Sequence, residues 1–209
     1  MIILKSGQLN ELQCRIELDE FKKLLSTNVE IGETILLNFF ESRAQLILLM
    51  GRLIGVGSIA SYNSEIPIIG KYRADFVVSN KNNSEFAFIE FENATLGSIF
   101  TRRLNKKTHA YSWSARFEHG YSQVIDWYHH LLDNEGTNNM LSEFGHYKIK
   151  FYGALIIGRD SSINKSDCRE RFNKRVEGSR VYNKGITCFT FDELYENMEN
   201  EYDLLCDFK

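Results

Sequence analysis

Three carboxylates stand inside runs that otherwise look like strands. Residues 72–80 (Tyr-Arg-Ala-Asp-Phe-Val-Val-Ser-Asn) and 85–93 (Glu-Phe-Ala-Phe-Ile-Glu-Phe-Glu-Asn) are two apolar stretches on either side of a polar turn, with Asp75 in the first and Glu90 and Glu92 in the second. A strand alternates its faces with period two. Glu90 and Glu92 therefore share a side with Phe86 and Phe88, and Ala87, Ile89 and Phe91 take the other. Asp75, near the start of the partner strand, can meet the two glutamates from the side. Acidic residues are depleted in strands, and clustered carboxylates repel unless something offsets their charge. A divalent cation does so most simply. Mg²⁺ takes oxygen ligands, one or two carboxylates with phosphate oxygens and water. There it polarises a phosphodiester and lowers the pKa of an attacking water. The competing reading is ion pairing, with Arg73, Arg102 or Arg159 neutralising Glu90 or Glu92.

The elements that must position these acids follow from apolar spacing. Leu9, Leu12, Ile16, Phe21, Leu24 and Leu25 predict a helix over residues 8–25. A second helix is predicted over 32–49, with Glu33 in its first turn, where a carboxylate favours the helix dipole. Strands are expected at 65–69, 73–78, 85–92, 149–157 and 186–191. The stripe Val124, Trp127, Tyr128, Leu131 and Leu132 predicts an amphipathic helix over 121–133, with a polar loop at 134–139. Further helices are expected at 165–177 and 192–200, the last capped by Asp192. This alternation specifies an α/β fold with a mixed sheet.

The 209 residues, 43% hydrophobic, suffice for one domain with a sizeable core and a small appended segment. With a net charge of −3, a nucleic-acid role needs a local basic patch rather than a global field. Residues 98–119 supply a candidate. Arg102, Arg103, Lys106, Lys107, His109, Arg116 and His119 are interleaved with Phe100, Tyr111, Trp113 and Phe117. That mixture suits phosphate and base contacts; the alternative is a solvated helix face with the aromatics in the core. Arg159, at the end of a buried strand, either contacts phosphate or pairs with an acid. Cys14, Cys168, Cys188 and Cys206 lack zinc spacing and read as reduced cytosolic thiols. The apolar start at residues 1–4 is too short for a signal core. The apolar region 46–60 is interrupted by Arg52 and three glycines, so a membrane span is not expected. The expectation is a soluble, cytoplasmic protein.

Six stretches recur in a family order: residues 20–25 (Glu-Phe-Lys-Lys-Leu-Leu) with Glu33; 73–76 (Arg-Ala-Asp-Phe); 88–92 (Phe-Ile-Glu-Phe-Glu); 123–127 (Gln-Val-Ile-Asp-Trp); 156–159 (Ile-Ile-Gly-Arg); and 190–194 (Thr-Phe-Asp-Glu-Leu). In this order they resemble the PD-(D/E)XK nuclease superfamily and, more narrowly, the Shedu immune nuclease family of prokaryotic anti-phage defence. The resemblance covers nearly the whole chain. It implies an N-terminal helical segment over 1–30 and a restriction-endonuclease-like domain over 31–209, a central mixed sheet flanked by helices. It implies that Asp75 and Glu90 bind metal, with the carbonyl after Glu90 as a further ligand. Gln123 would orient the site, and Glu33 and Glu65 would be accessory carboxylates. Glu92 stands where the superfamily has lysine. A lysine there stabilises transition-state charge; a glutamate instead accepts a proton from water or adds a metal ligand. The implied activity is hydrolysis of DNA phosphodiester bonds by a Mg²⁺-dependent endonuclease, with Mn²⁺ as a substitute, acting as a homo-oligomer. Asp75, Glu90 and Glu92 would hold the metal, and Arg102, Arg103, Lys106, Lys107, Arg116 and Arg159 the DNA. The departure at Glu92 favours an alternative: a catalytically inactive nuclease-fold module that binds nucleic acid or a partner protein. A purely structural hairpin neutralised by arginines is the third reading.

Overall fold

The acidic hairpin lies in the middle of a seven-stranded sheet in a computed structural model that describes residues 1–165 and 167–207. In chain order the elements are β1 (Lys5–Ser6), α1 (Glu11–Thr27), α2 (Glu33–Glu41), α3 (Ala44–Ile54), β2 (Ile59–Ile68), β3 (Tyr72–Asn80), β4 (Glu85–Phe91), β5 (Phe100–Leu104) and β6 (Tyr111–Trp113). They continue with α4 (Ala115–Asp133), α5 (Asn138–Phe144), β7 (Lys150–Ile156), α6 (Asp160–Ile163), α7 (Cys168–Gly178), β8 (Arg180–Val181), β9 (Lys184–Phe189) and α8 (Phe191–Asp207). The strand order is β1-β2-β3-β4-β7-β9-β8. The first four strands are antiparallel, β4, β7 and β9 run parallel, and β8 returns antiparallel. Parallel neighbours need crossovers, and the helices from α4 to α7 lie in those two connections.

Helices cover both faces. Phe76, Val78, Ala87, Ile89 and Phe91 share one core with α1, α2, α3 and α8. Val77, Phe86, Phe88 and Leu155 share the other with α4, α5 and α7. The expected alternation of β4 therefore holds, and the face carrying Glu90 and Glu92 is the α4 face. Among the described residues no helix is long and apolar enough to cross a membrane.

The helix expected over 32–49 is two helices, α2 and α3. The cause is Glu17, a buried residue of α1. Its Oε2 accepts the N–H groups of Gln45 and Leu46 at 2.9 and 3.2 Å, and its Oε1 accepts from the Gln13 side chain at 3.0 Å. The first N–H groups of a helix lack internal partners and form its positive end, so a carboxylate delivered from α1 lets a new helix start at Ala44. β2 also starts earlier than expected, at Ile59, and α5 occupies part of the predicted loop.

Residues 98–119 are not one helix face. They form a two-stranded ribbon, β5 with β6, followed by the first turn of α4. Ser114 starts that helix six residues before the expected position 121, its hydroxyl accepting from the Phe117 N–H at 3.0 Å. The aromatics stack on one another, with ring centroids 4.3 Å apart for Phe100 and Trp113, 4.7 Å for Trp113 and Phe117, and 5.3 Å for Phe117 and Tyr121. Arg171 and Arg175 of α7 lie over these rings. Phe100, Phe117 and Tyr121 are buried in this stack, and Tyr111 and Trp113 are half-buried. The helix expected over 165–177 includes position 166, which lies outside the described residues; α7 follows it. The cap of α8 is Thr190, not Asp192. The Thr190 hydroxyl accepts from the Glu193 N–H at 3.0 Å, and the Glu193 carboxylate accepts from the Thr190 N–H at 2.9 Å, a reciprocal capping box.

Candidate functional site

β3 and β4 stay paired as far as Phe76 opposite Ile89. Beyond that pair a side chain takes over from the ladder: Asp75 Oδ2 accepts the Phe91 N–H at 2.7 Å. One further step of the same register sets Asp75 beside Glu90. Alternation puts Val77, Phe88, Glu90 and Glu92 on the face beneath α4, and Asp75 lies where β3 changes face, between Ala74 in the α4-side core and Phe76 in the opposite one. Glu90 and Glu92 are only 7% and 3% exposed.

These two buried glutamates meet different surroundings. Glu90 Oε2 is buried with no hydrogen-bond partner among the described residues. An unpaired buried carboxylate is strongly disfavoured as the anion. Burial, then repulsion from Asp75, Glu92, Glu33 and Glu65, raises the Glu90 pKa to about 10. Burial also raises Asp75, to about 7, against the Phe91 N–H, with Glu65, Glu33 and Glu92 adding to the rise. Glu92 has a partner. Its Oε2 lies 2.5 Å from Nη1 of Arg116, on the first turn of α4. Burial raises its pKa, and the guanidinium opposes that rise.

Local structure explains the convergence. Ile31 bridges Ala94, and the Glu33 N–H donates to Asn93 Oδ1 at 2.7 Å, fastening the start of α2 to the end of β4. Glu33 thereby comes within 3.2 Å of Arg116. Glu65 has a φ of 54°, a left-handed conformation uncommon outside glycine. The flanking pairs Ser64–Phe76 and Ile66–Ala74 set it across from Asp75, and its side chain pairs with Arg73 at 2.8 Å.

Two glycines let α4 approach the sheet. A Cβ at Gly120 would lie 2.9 Å from Leu155 Cδ1 and 3.1 Å from Glu92 Cγ. A Cβ at Gly153 would lie 2.6 Å from Val124 and 2.5 Å from Tyr128. Gly153 is the β7 partner of Phe88. Gly120 thus sits at the level of Glu92, Val124 at the level of Phe88, and Gln123, one turn beyond Gly120, at the level of Glu90. Gln123 is half-buried, and its side-chain amide has no hydrogen-bond partner among the described residues.

The arginines differ from expectation. Arg73 pairs with Glu65, Arg102 with Glu30 and Arg159 with Asp192. The cation beside the acids is Arg116, grouped from sequence with the phosphate contacts. Arg159 binds both Asp192 oxygens, at 2.8 and 2.9 Å, and the carbonyls of Asn28 and Leu25, at 2.6 and 3.0 Å. Ion pairing, the second of its two sequence readings, is its role here. Arg103, Lys106 and Lys107 are exposed on the ribbon and make no ion pair among the described residues. Asn93, which fastens α2 to β4, directly follows Glu92 in the sequence, and Gly120, which admits α4 to the sheet, lies one helical turn beyond Arg116.

Among the described residues no three His, Cys, Asp or Glu side chains are arranged to hold a metal ion. The donor chemistry nevertheless suits a hard cation. Asp75 and Glu90 offer only oxygens, and Glu90 Oε2 is buried without a partner.

A mixed α/β sheet with buried carboxylates at the end of its central hairpin is the class of protein these features define. Residues 31–195 match the family model described as Shedu protein SduA, C-terminal, and the chain belongs to that family. Membership implies a part in anti-phage defence. No curated protein matches the chain.

Proposed function

We propose that this chain is a Mg²⁺-dependent DNA endonuclease of a Shedu defence system, built on a PD-(D/E)XK-type core. The observation that carries the reading is the unpartnered oxygen of Glu90, buried beside Asp75. A fold that only needed a strand would not place an orphaned acid there, because a buried, unpartnered carboxyl group is either destabilised by its lost solvation as the anion or has to take up a proton to fold. Asp75 and Glu90 would hold the cation, and their protons would be released to solvent as it binds. A Mg²⁺ ion held by these two carboxylates would polarise the phosphodiester and lower the pKa of an attacking water.

The remaining residues do their work through geometry. The Phe91 N–H fixes one oxygen of Asp75 and aims the other. Gln123, at the level of Glu90 with its amide unengaged, orients the attacking water. Glu33 and Glu65 add negative potential that draws a cation in. Arg102, Arg103, Lys106 and Lys107 on the ribbon follow the DNA backbone through phosphate contacts.

Purified protein is incubated with supercoiled, nicked, linear and single-stranded DNA in Mg²⁺ or Mn²⁺. The wild type is expected to cut at least one substrate, and Asp75→Ala and Glu90→Ala to lose both cutting and protection in a phage-plaque assay. Absence of cutting on every substrate, with Asp75→Ala still protecting cells, contradicts the proposal. DNA binding without cutting and without metal uptake supports the binding-only module, the reading favoured by Glu92 in place of lysine.

A further inference from the structure

Arg116 is anchored to the acidic cluster through one nitrogen. A single nitrogen, Nη1, contacts both Glu92, at 2.5 Å, and Glu33, at 3.2 Å. Nε and Nη2 make no hydrogen bond among the described residues, and the side chain is 42% exposed. Arg159 and Arg169, by contrast, spend Nε and both terminal nitrogens on protein acceptors. A guanidinium anchored at one nitrogen with its other donors free has the planar geometry that takes two oxygens of a phosphate. Its anchor, Glu92, is itself fixed. The Glu92 N–H continues the ladder to Ile156 O at 2.9 Å, and Gly120 packs against its Cγ.

The geometry points to Arg116 as the phosphate-binding cation of the site: Glu92 holds by Nη1 a guanidinium whose Nε and Nη2 take the scissile phosphodiester. This inference rests on the nuclease reading and deepens it. Hydrolysis joins a water oxygen to phosphorus and breaks the bond from phosphorus to the leaving sugar oxygen. Water gives up a proton, and the leaving oxygen takes one up. Between those states negative charge grows on the non-bridging oxygens, and a positioned cation offsets it. The positive charge that the superfamily carries on the strand, at the position of Glu92, comes here from α4. Glu92 is then a positioning residue.

The test compares cleavage, DNA binding and metal binding in four variants. Arg116→Gln is expected to slow cleavage about 100-fold. In metal-free buffer it should lower the salt dependence of DNA binding by about one phosphate contact. Metal uptake by calorimetry should be at least as tight as in the wild type. Because Arg116→Gln leaves Glu92 buried without its partner, Arg116→Gln/Glu92→Gln removes both charges, and its melting temperature reports whether folding is intact. This double variant should be as slow as the single one. Arg116→Lys should recover only part of the rate, since an ammonium lacks the second planar donor pair. Arg116→Gln/Glu92→Lys, which moves the cation onto the strand, should cut within about tenfold of wild type, by the same charge argument. A folded Arg116→Gln/Glu92→Gln that cuts at the wild-type rate with an unchanged salt slope overturns the inference alone. Faster cutting by Arg116→Gln also overturns it, because the guanidinium would then be an inhibitory latch. A wild type that neither binds nor cuts DNA overturns the nuclease reading and this inference together.

Discussion

Glu17 and Glu90 are both glutamates buried beneath helices, one on each side of the sheet, and they differ in what meets them. Glu17 is answered on both oxygens, by two amides at the start of α3 and by the Gln13 side chain. Glu90 leaves one oxygen with no partner among the described residues and faces further acids. The first is a structural carboxylate whose burial is offset by hydrogen bonds and a helix dipole. The second is offset by nothing within the described residues, and the proposed cation site rests on that contrast. Glu92 lies between these cases: it is buried like Glu90, yet neutralised by a half-exposed arginine.

The comparison can be broken from either side. Glu17→Ala should give the largest loss of stability, on the order of 3 kcal/mol, because two backbone amides at the start of α3 and the Gln13 side chain lose their acceptor. For a domain of this size that lowers the melting temperature by roughly 6–12 °C. DNA cleavage at a temperature where the variant is folded should stay near wild type. Glu90→Gln should act with the opposite sign, raising metal-free stability at neutral pH by about 1–2 kcal/mol, because folding no longer has to put a proton on residue 90, while abolishing metal uptake and cleavage.

The same contrast predicts a pH dependence. The folded state holds protons on Asp75 and Glu90 more tightly than the unfolded chain does. Metal-free protein should therefore lose stability as pH rises from the ordinary carboxylate range near 4 through about 7 for Asp75 and about 10 for Glu90, with the loss complete above those values. Melting curves in chelator from pH 5 to 9 should slope downward. Mg²⁺ should flatten them at the alkaline end, and Glu90→Gln should flatten them without metal. A wild-type curve that rises across this range in chelator contradicts the account. The smallest effect on stability belongs to the ribbon. Lys106→Gln and Lys107→Gln should change stability by less than about 0.5 kcal/mol, and each should reduce the salt slope of DNA binding by about one.

The hairpin was legible in the sequence because its information is local: period-two alternation in β4 put Glu90 and Glu92 on one face, and the turn joined them to Asp75. The mixed α/β layering and the order of the later strands and helices followed from the same patterning. Longer-range effects were not legible. Nothing near residue 43 signals that Glu17, on another helix, will cap α3 and divide a continuous apolar run. Arg116 read as one more member of a basic stretch, because its pairing with Glu92 depends on how closely Gly120 lets α4 approach. Thr190 is different, since the Thr-x-x-Glu spacing of its capping box with Glu193 is local and stands in the sequence itself. The ribbon was missed because aromatic residues spaced for mutual stacking across β5, β6 and α4 resemble aromatics spaced for bases.

The central claim is that Asp75 and Glu90 form a divalent-cation site. It is tested most directly by calorimetric titration of Mn²⁺ into metal-free protein near pH 7.5, in two buffers of different ionisation heat. At that pH Glu90 carries a proton in the metal-free fold, its pKa being raised to about 10. The account predicts saturable binding that releases protons to the buffer, lost in Glu90→Gln and in Asp75→Asn and kept in Glu17→Gln. No binding by the wild type, or equal binding with equal proton release by Glu90→Gln, would contradict it.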